Sequence, residues 1–261
     1  MKICLSTGSL FKLQLAKIFH IAKWAGFDGL ELLICPRISK PYDLEEALKL
    51  SWEVLPVKGV HVPFFRFSKW RGKISSLKKA ITWARVLGAS VVTFHPPSWL
   101  NLEFLFWLWM FRKKNFDKET GGFVHLSIEI MPVENPKNKF SGYFWNDPLI
   151  LKAFAKKKGL SLTLDTTHMA TRNRNLIPFF LSLYEEGLVK NIHLSDFNPP
   201  NQHLFPGKGN LPMMRFFNLL KHLNYRELLT IEVTPKELPE NENEIVEKLK
   251  ILVDFIREVT I

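Results

Sequence analysis

The residues with chemistry to offer recur through the chain at intervals close to one strand-plus-helix unit. Glu31, His61, His95, Glu129, Asp165, His193 and Glu232 follow one another, and from His61 onward successive members lie 28 to 39 residues apart. His168 stands three places after Asp165, His203 follows in a later loop, and five of the chain's eight histidines thus belong to the set. Imidazoles and carboxylates without thiolates are donors that a divalent cation selects. The same residue types act as general acids and bases. Taken singly, each has a plainer reading. A histidine can be a hydrogen-bonded core residue, and Asp165 in GLSLTLDTTH can cap the next helix, with Thr166 and Thr167 as turn residues. Packing alone gives no reason to repeat ionisable ligand types at seven successive strand ends.

Those positions need elements to hold them. KICLS, GLELLI, VKGVHV, SVVTFHPP, HLSIEIMP, LTLD, VKNIHLSD and LLTIEVTP read as eight strands, apolar nearly throughout, as parallel strands buried on both faces are. Leu13 to Ala25 carries a helical stripe of Leu15, Ile18, Phe19, Ala22 and Ala25, closed by Gly26. Further helices are expected from Asp43 to Leu50, from Ser75 or Ser76 to Gly88, and around Phe104 to Phe111. Others are expected over 148–158, from Asn175 to Glu186 and from Pro212 to Leu223, with a last one burying Ile245, Leu249, Leu252 and Ile256. Eight strands alternating with eight helices imply an α/β fold, a single (β/α)8 TIM barrel over residues 1–261. A doubly wound sheet would show a glycine-rich phosphate turn, and the chain has no GxGxxG. In a barrel, the carboxyl ends of the strands converge on one site whatever their separation in sequence.

Composition narrows the class further. With 261 residues, 46% hydrophobic and 23% charged, the chain can bury a large core. A formal charge of +11 attracts phosphates, nucleic acid or anionic surfaces and says nothing about fold. Cys4 and Cys35 give neither a disulfide framework nor a CxxC spacing, and MKICLS opens directly as a strand, so a cytoplasmic location is expected. The apolar run from Leu102 to Phe111 is about half the ~20 residues of a membrane span, and no transmembrane helix is expected. Its aromatic residues (Phe104, Phe106, Trp107, Trp109 and Phe111) are expected to pack on the barrel and to offer a homo-oligomer interface. The loop from Asn135 to Trp145 sits where a lid over a barrel site would arise.

Seven segments carry a family resemblance: GFDGLELL (Glu31), GVHVPF (His61), FHPPS (His95), SIEIMP (Glu129), LDTTH (Asp165, His168), NIHLSD (His193) and TIEV (Glu232). From KICLSTGSL to TIEVTP the chain resembles the xylose isomerase-like TIM-barrel superfamily, which includes sugar isomerases, sugar epimerases and endonuclease IV. In the isomerase and epimerase branch, the resemblance implies one divalent metal (manganese, zinc, magnesium or cobalt) held by Glu129, Asp165, His193 and Glu232. Glu129 and Glu232 would also exchange the proton on the substrate carbon, and His168 would contact substrate oxygens. Glu31, His61, His95 and His203 become substrate-binding candidates for a sugar, a sugar phosphate or a related hydroxy-carbonyl compound, with Glu31 alternatively a group behind the ligands or a barrel-layer residue.

The endonuclease IV branch implies zinc phosphodiesterase chemistry at abasic DNA sites. There His61, His95 and Glu129 would hold one metal, Glu129, Asp165, His193 and Glu232 a second, and His168 with His203 a third. The basic aromatic loop FFRFSKWRGK suits a DNA backbone. Asn201, however, stands where that branch has an aspartate, and IMPVENPKN lacks its glycine-rich turn. KICLSTGSL, GFDGLELL and NQHLFPGKG resemble the sugar branch instead. One departure from that branch remains: Phe197 to Gln202 contains no arginine, where epimerases of free ketoses carry one.

Overall fold

The eight expected strands form one closed sheet. In a computed structural model, which describes residues 1–65, 67–70, 73–98, 105, 107, 120–133, 141–143 and 146–260, the barrel strands are β1 (Lys2–Ser6), β2 (Gly29–Leu33), β3 (Val57–His61), β4 (Val91–Phe94), β5 (His125–Glu129), β6 (Ser161–Asp165), β7 (Val189–Leu194) and β10 (Leu228–Ile231). They close in the order β1-β10-β7-β6-β5-β4-β3-β2, and every pairing is parallel. A separate antiparallel hairpin, β8 (Asp196–Asn198) with β9 (Asn201–Leu204), leaves the carboxyl end of β7. The fold is a TIM barrel.

The helices are α1 (Leu15–Trp24), α2 (Pro41–Glu53), α3 (Lys73–Leu87), α4 (Pro148–Lys158), α5 (Thr166–Arg172), α6 (Ile177–Tyr184), α7 (Met213–His222) and α8 (Glu242–Thr260). α1 buries Leu15, Ile18, Phe19 and Ala22, and the chain turns out of it at Gly26 with φ +84°, a backbone that glycine adopts at no steric cost. α2 begins two residues before the expected Asp43, because Pro41 fits the first turn. Asp43 is its third residue, and its Oδ2 accepts from the Ser39 and Lys40 amides. The reading of Asp165 as a helix cap holds, but the helix it caps, α5, starts at once, where a loop was expected before Asn175. The two threonines read as turn residues are its first residues, and Asp165 caps it through Oδ1. Of the expected helix from Phe104 to Phe111, only Leu105 and Trp107 are described. Trp107 is buried against Phe94, while the interface expected of that run lies outside the described residues, as does most of the expected lid from Asn135 to Trp145.

The barrel interior differs from the expected, nearly apolar strands in one respect. Two residues before five of the terminal ligand types stands a polar one: Thr93 before His95, Ser127 before Glu129, Thr163 before Asp165, Asn191 before His193 and Thr230 before Glu232. All five are fully buried. Side chains alternate across a strand, so these five share the inward face with the ligand types, one layer deeper. There they bond to one another: Ser127 Oγ to Thr163 Oγ1 (2.7 Å), and Thr230 Oγ1 to Asn191 Oδ1 (2.8 Å). Buried polar groups persist when each finds a partner. The apolar residues between them, such as Val92, Ile128, Leu162, Leu164 and Ile192, point outward and form the core beneath the helices.

Candidate metal centre

Strand register decides which expected residues reach the mouth of the barrel. Glu129 and Asp165 end β5 and β6, His193 lies one residue from the end of β7, and Asp165 is level with His193. His61 ends β3, whereas His95 and Glu232 directly follow β4 and β10. Glu31 is different. It is the middle residue of β2, level with Gly59 and two residues below the Leu33–His61 pairing. Its Oε1 accepts from Thr93 Oγ1 and Asn191 Nδ2, both at 2.9 Å, and its Oε2 lies 2.8 Å from His193 Nε2. Fully buried and so engaged, Glu31 underlies His193, which accords with its reading as a group behind the ligands. Gly59 permits this, because a Cβ there would stand 3.2 Å from Glu31 Cγ.

Around Glu129 the imidazoles close in. His95 Nε2 is 2.9 Å from its Oε2 and His61 Nε2 3.1 Å, while His168 Nδ1 is 3.1 Å from its Oε1. On the other side, His193 Nδ1 is 2.9 Å from Glu232 Oε2 and 3.8 Å from Glu129 Oε1. Glu129, Asp165, His193 and Glu232 can each offer one ligand atom such that all four atoms lie within 4.8 Å of one another. The same holds for His61 with His95 and Glu129, for His61 with His193 and Glu232, and for Asp165 with His168 and His203. His203 sits on β9 at φ +52°, its ring edge-on to His168 with centroids 5.1 Å apart. A non-glycine residue held in the left-handed region is a mark of functional sites.

Burial and charge shape the electrostatics. Desolvation pushes Glu129 up, yet the pull of His95, His168, His193 and His61 together holds its carboxyl well below the ordinary range. Burial likewise opposes ionisation of Glu232, and His193 overcomes it, bringing that pKa down to about 2. The histidines respond in kind. Burial disfavours the charged form of His168, but Asp165 and Glu129 raise its pKa to about 9. His193 lies well above its usual value against burial, through Glu31 and Glu232. His61 is raised against burial by Glu129. In the protein alone, these imidazoles and carboxylates thus favour one another's charged forms.

Two features show that these residues suit a divalent cation. Asp165 Oδ2 is buried without a hydrogen bond, although Oδ1 takes the Thr167 and His168 amides and the Thr167 hydroxyl. Both His193 nitrogens are buried without hydrogen-bond geometry despite the carboxylate oxygens beside them. Buried polar atoms left this way are costly unless something else engages them. Three carboxylates and one imidazole match the oxygen and nitrogen preferences of manganese, zinc and their neighbours.

Asp196, a strand-end acid without an expected role, organises the loop that presents His203. Its carboxylate accepts the amides of Phe197, Gly207, Gly209 and Leu211. Gly209 is required there, since a Cβ would meet Asp196 Oδ1 at 2.4 Å. The polar layer beneath the ligands was also missed. Its signal was available in the sequence as alternation with period two along each strand.

A closed parallel barrel with an imidazole–carboxylate cluster at its carboxyl end defines a TIM-barrel protein with a candidate metal centre. The chain belongs to the xylose isomerase-like TIM barrel family, whose model matches residues 19–257. An uncharacterized protein of Mycobacterium leprae is 25% identical over 98% of both chains. Among solved structures, a D-tagatose 3-epimerase-like protein superposes with a TM-score of 0.72 at 21% identity, over 100% of this chain and 98% of that one. The IOLI protein with a bound zinc atom gives 0.69 at 14% identity, over 100% and 98%. Among the described residues no helix is long and apolar enough to cross a membrane.

Proposed function

We propose that the protein is a divalent-metal-dependent isomerase or epimerase of sugars or related hydroxy-carbonyl compounds. The observation that carries this reading is the presence of two ionised glutamates, Glu129 and Glu232, within one four-residue cluster at the barrel mouth. The epimerase-like and zinc-bearing structures that share the fold agree with it. A divalent ion held by Glu129, Asp165, His193 and Glu232 would supply Lewis acidity, polarising a substrate carbonyl and acidifying the adjacent C–H. Within this reading, the chain's own groups do the rest. One glutamate, ionised at neutral pH, takes the proton, and the other returns one to the carbon only after it has itself taken up a proton from solvent. His168, three residues after Asp165 at the same mouth, would contact a substrate oxygen. His61 and His95 flank Glu129, and Phe64 stands edge-on to His95, with ring centroids 5.0 Å apart, as an apolar wall against water. Solvent deuterium should enter the substrate carbon, and both Glu129→Gln and Glu232→Gln should abolish the exchange. Exchange that survives in both variants would remove the glutamates from the role.

A second reading has its own observation: the His61–His95–Glu129 and Asp165–His168–His203 groups assemble as well, as a multi-zinc phosphodiesterase would require. Asp165 weighs against full occupancy, because its single free oxygen would serve two groups at once. Asn201 is exposed on the hairpin and, being a neutral amide, adds little attraction for zinc. Incision of abasic-site DNA at saturating zinc, without exchange into any sugar, would favour this reading.

A further inference from the structure

A cavity opens between the end of α5 and the β8–β9 hairpin, the two elements that also carry His168 and His203. Its volume is about 480 Å³, and Arg172, Asn173, Arg174, Phe197, Pro200 and Gln202 are among its lining residues. None of its described lining residues is acidic. Arg172 follows His168 by four positions, about one helical turn or ~5–6 Å along the helix. Its Nη2 donates to the Asn146 carbonyl oxygen at 2.6 Å, whereas its Nε is buried and makes no hydrogen bond. Among the described residues no carboxylate forms an ion pair with Arg172 or Arg174; the nearest acidic influence on Arg172 is Asp147. Arg172 is half-buried, and a partly desolvated guanidinium without a counter-ion gains from a bound oxyanion through paired, charge-assisted hydrogen bonds.

We propose that this cavity is the subsite for an anionic group, a phosphate monoester or a carboxylate, at the end of the substrate remote from its reacting carbon. The rest of the substrate is taken from the isomerase reading, while the anion stands on the cavity itself. A sugar whose reacting carbon lies by Glu129, Glu232 and His168 has its far end about one helical turn away, where the two arginines are. Arg172 would hold the anion from the buried side and Arg174, exposed, from the open side. Asn173 and Gln202 add amide donors at the same cavity. Arginine forks match both phosphate and carboxylate geometry.

The test titrates inorganic phosphate, and separately acetate, into the full-length metal-loaded protein, its Arg174→Gln and Arg172→Gln variants, and Asp165→Asn. Arg174→Gln, at an exposed position, keeps the test informative if Arg172→Gln does not fold. Phosphate or acetate should bind the parent and Asp165→Asn alike, and each arginine substitution should weaken that binding about tenfold to a hundredfold. Preference between the two probes identifies the group. Binding that survives both arginine substitutions but vanishes in Asp165→Asn places the anion on the metal and overturns the subsite, as does no binding at all. Deuterium exchange, measured on neutral, phosphorylated and carboxylated sugars, separates the two readings. Arginine-dependent anion binding without exchange into any sugar keeps the subsite and sinks the isomerase reading, whereas exchange without such binding does the reverse.

Discussion

Asp165 does two jobs with two oxygens, and Asp165→Asn separates them. Oδ1 caps α5 by accepting the Thr167 and His168 amides at 2.8 Å and the Thr167 hydroxyl at 2.9 Å. An asparagine oxygen caps as well as a carboxylate does, so above about pH 9, where His168 no longer draws on the Asp165 charge, the metal-free variant should unfold within about 1 kcal/mol of the parent. Oδ2, buried and unbonded, becomes an amide NH2 with no lone pair to give. A native-state ligand stabilises by RT ln(1 + [L]/Kd), which is about 2.7 kcal/mol at a hundred times Kd. If losing this anionic ligand raises Kd about a hundredfold, the same metal concentration leaves only about 0.4 kcal/mol. The difference, about 2.3 kcal/mol, amounts to a deficit of roughly 5–9 °C in the metal-induced rise of Tm for a chain of this size. Thermal unfolding with and without manganese or zinc measures both quantities. A variant that gains as much Tm from metal as the parent would refute Asp165 as a ligand, and a large loss without metal above about pH 9 would show that the cap had been broken.

Three further expectations follow from the same geometry. Glu31→Gln removes the charge packed against His193 Nε2 while leaving an oxygen for Thr93 and Asn191, and should weaken metal binding about tenfold to a hundredfold by calorimetry; unchanged affinity would reduce Glu31 to a packing residue. Without metal, His168 is raised from 6.5 to about 9, so its stabilisation is whole below pH 6.5 and lost as pH rises through 9. Glu232 is lowered from 4.5 to about 2, so its share is whole above pH 4.5 and lost as pH falls toward 2. The metal-free Tm should therefore be highest between about pH 4.5 and 6.5, and a maximum above pH 9 would contradict the protonated imidazoles. Gly209→Ala drives a Cβ to 2.4 Å from Asp196 Oδ1, and should destabilise the protein by about 1–3 kcal/mol in urea unfolding and lower activity through His203; a silent substitution would mean the loop yields freely.

The barrel and the convergence of its strand ends were legible because parallel strands leave a repeating apolar signature and βα spacing is nearly constant. Register was not legible. Glu31 looked like its neighbours in sequence, yet it lies in mid-strand, one layer below the mouth, and only the pairing of Leu33 with His61 reveals this. The cap at Asp165 was legible, but the start of α5 was not, because two threonines after a carboxylate read as a turn. Arg172 and Arg174 carried no motif. Their meaning comes from the hairpin that folds back beside them, a contact that no local pattern encodes.

Anomalous diffraction at the zinc edge, from crystals of the protein soaked to saturation, tests the metal centre most directly. A peak should lie about 2.0–2.2 Å from donor atoms of Glu129, Asp165, His193 and Glu232, with Asp165 bound through the oxygen that does not cap α5. Absence of a peak there at saturating zinc, with the four side chains drawn apart, would contradict it.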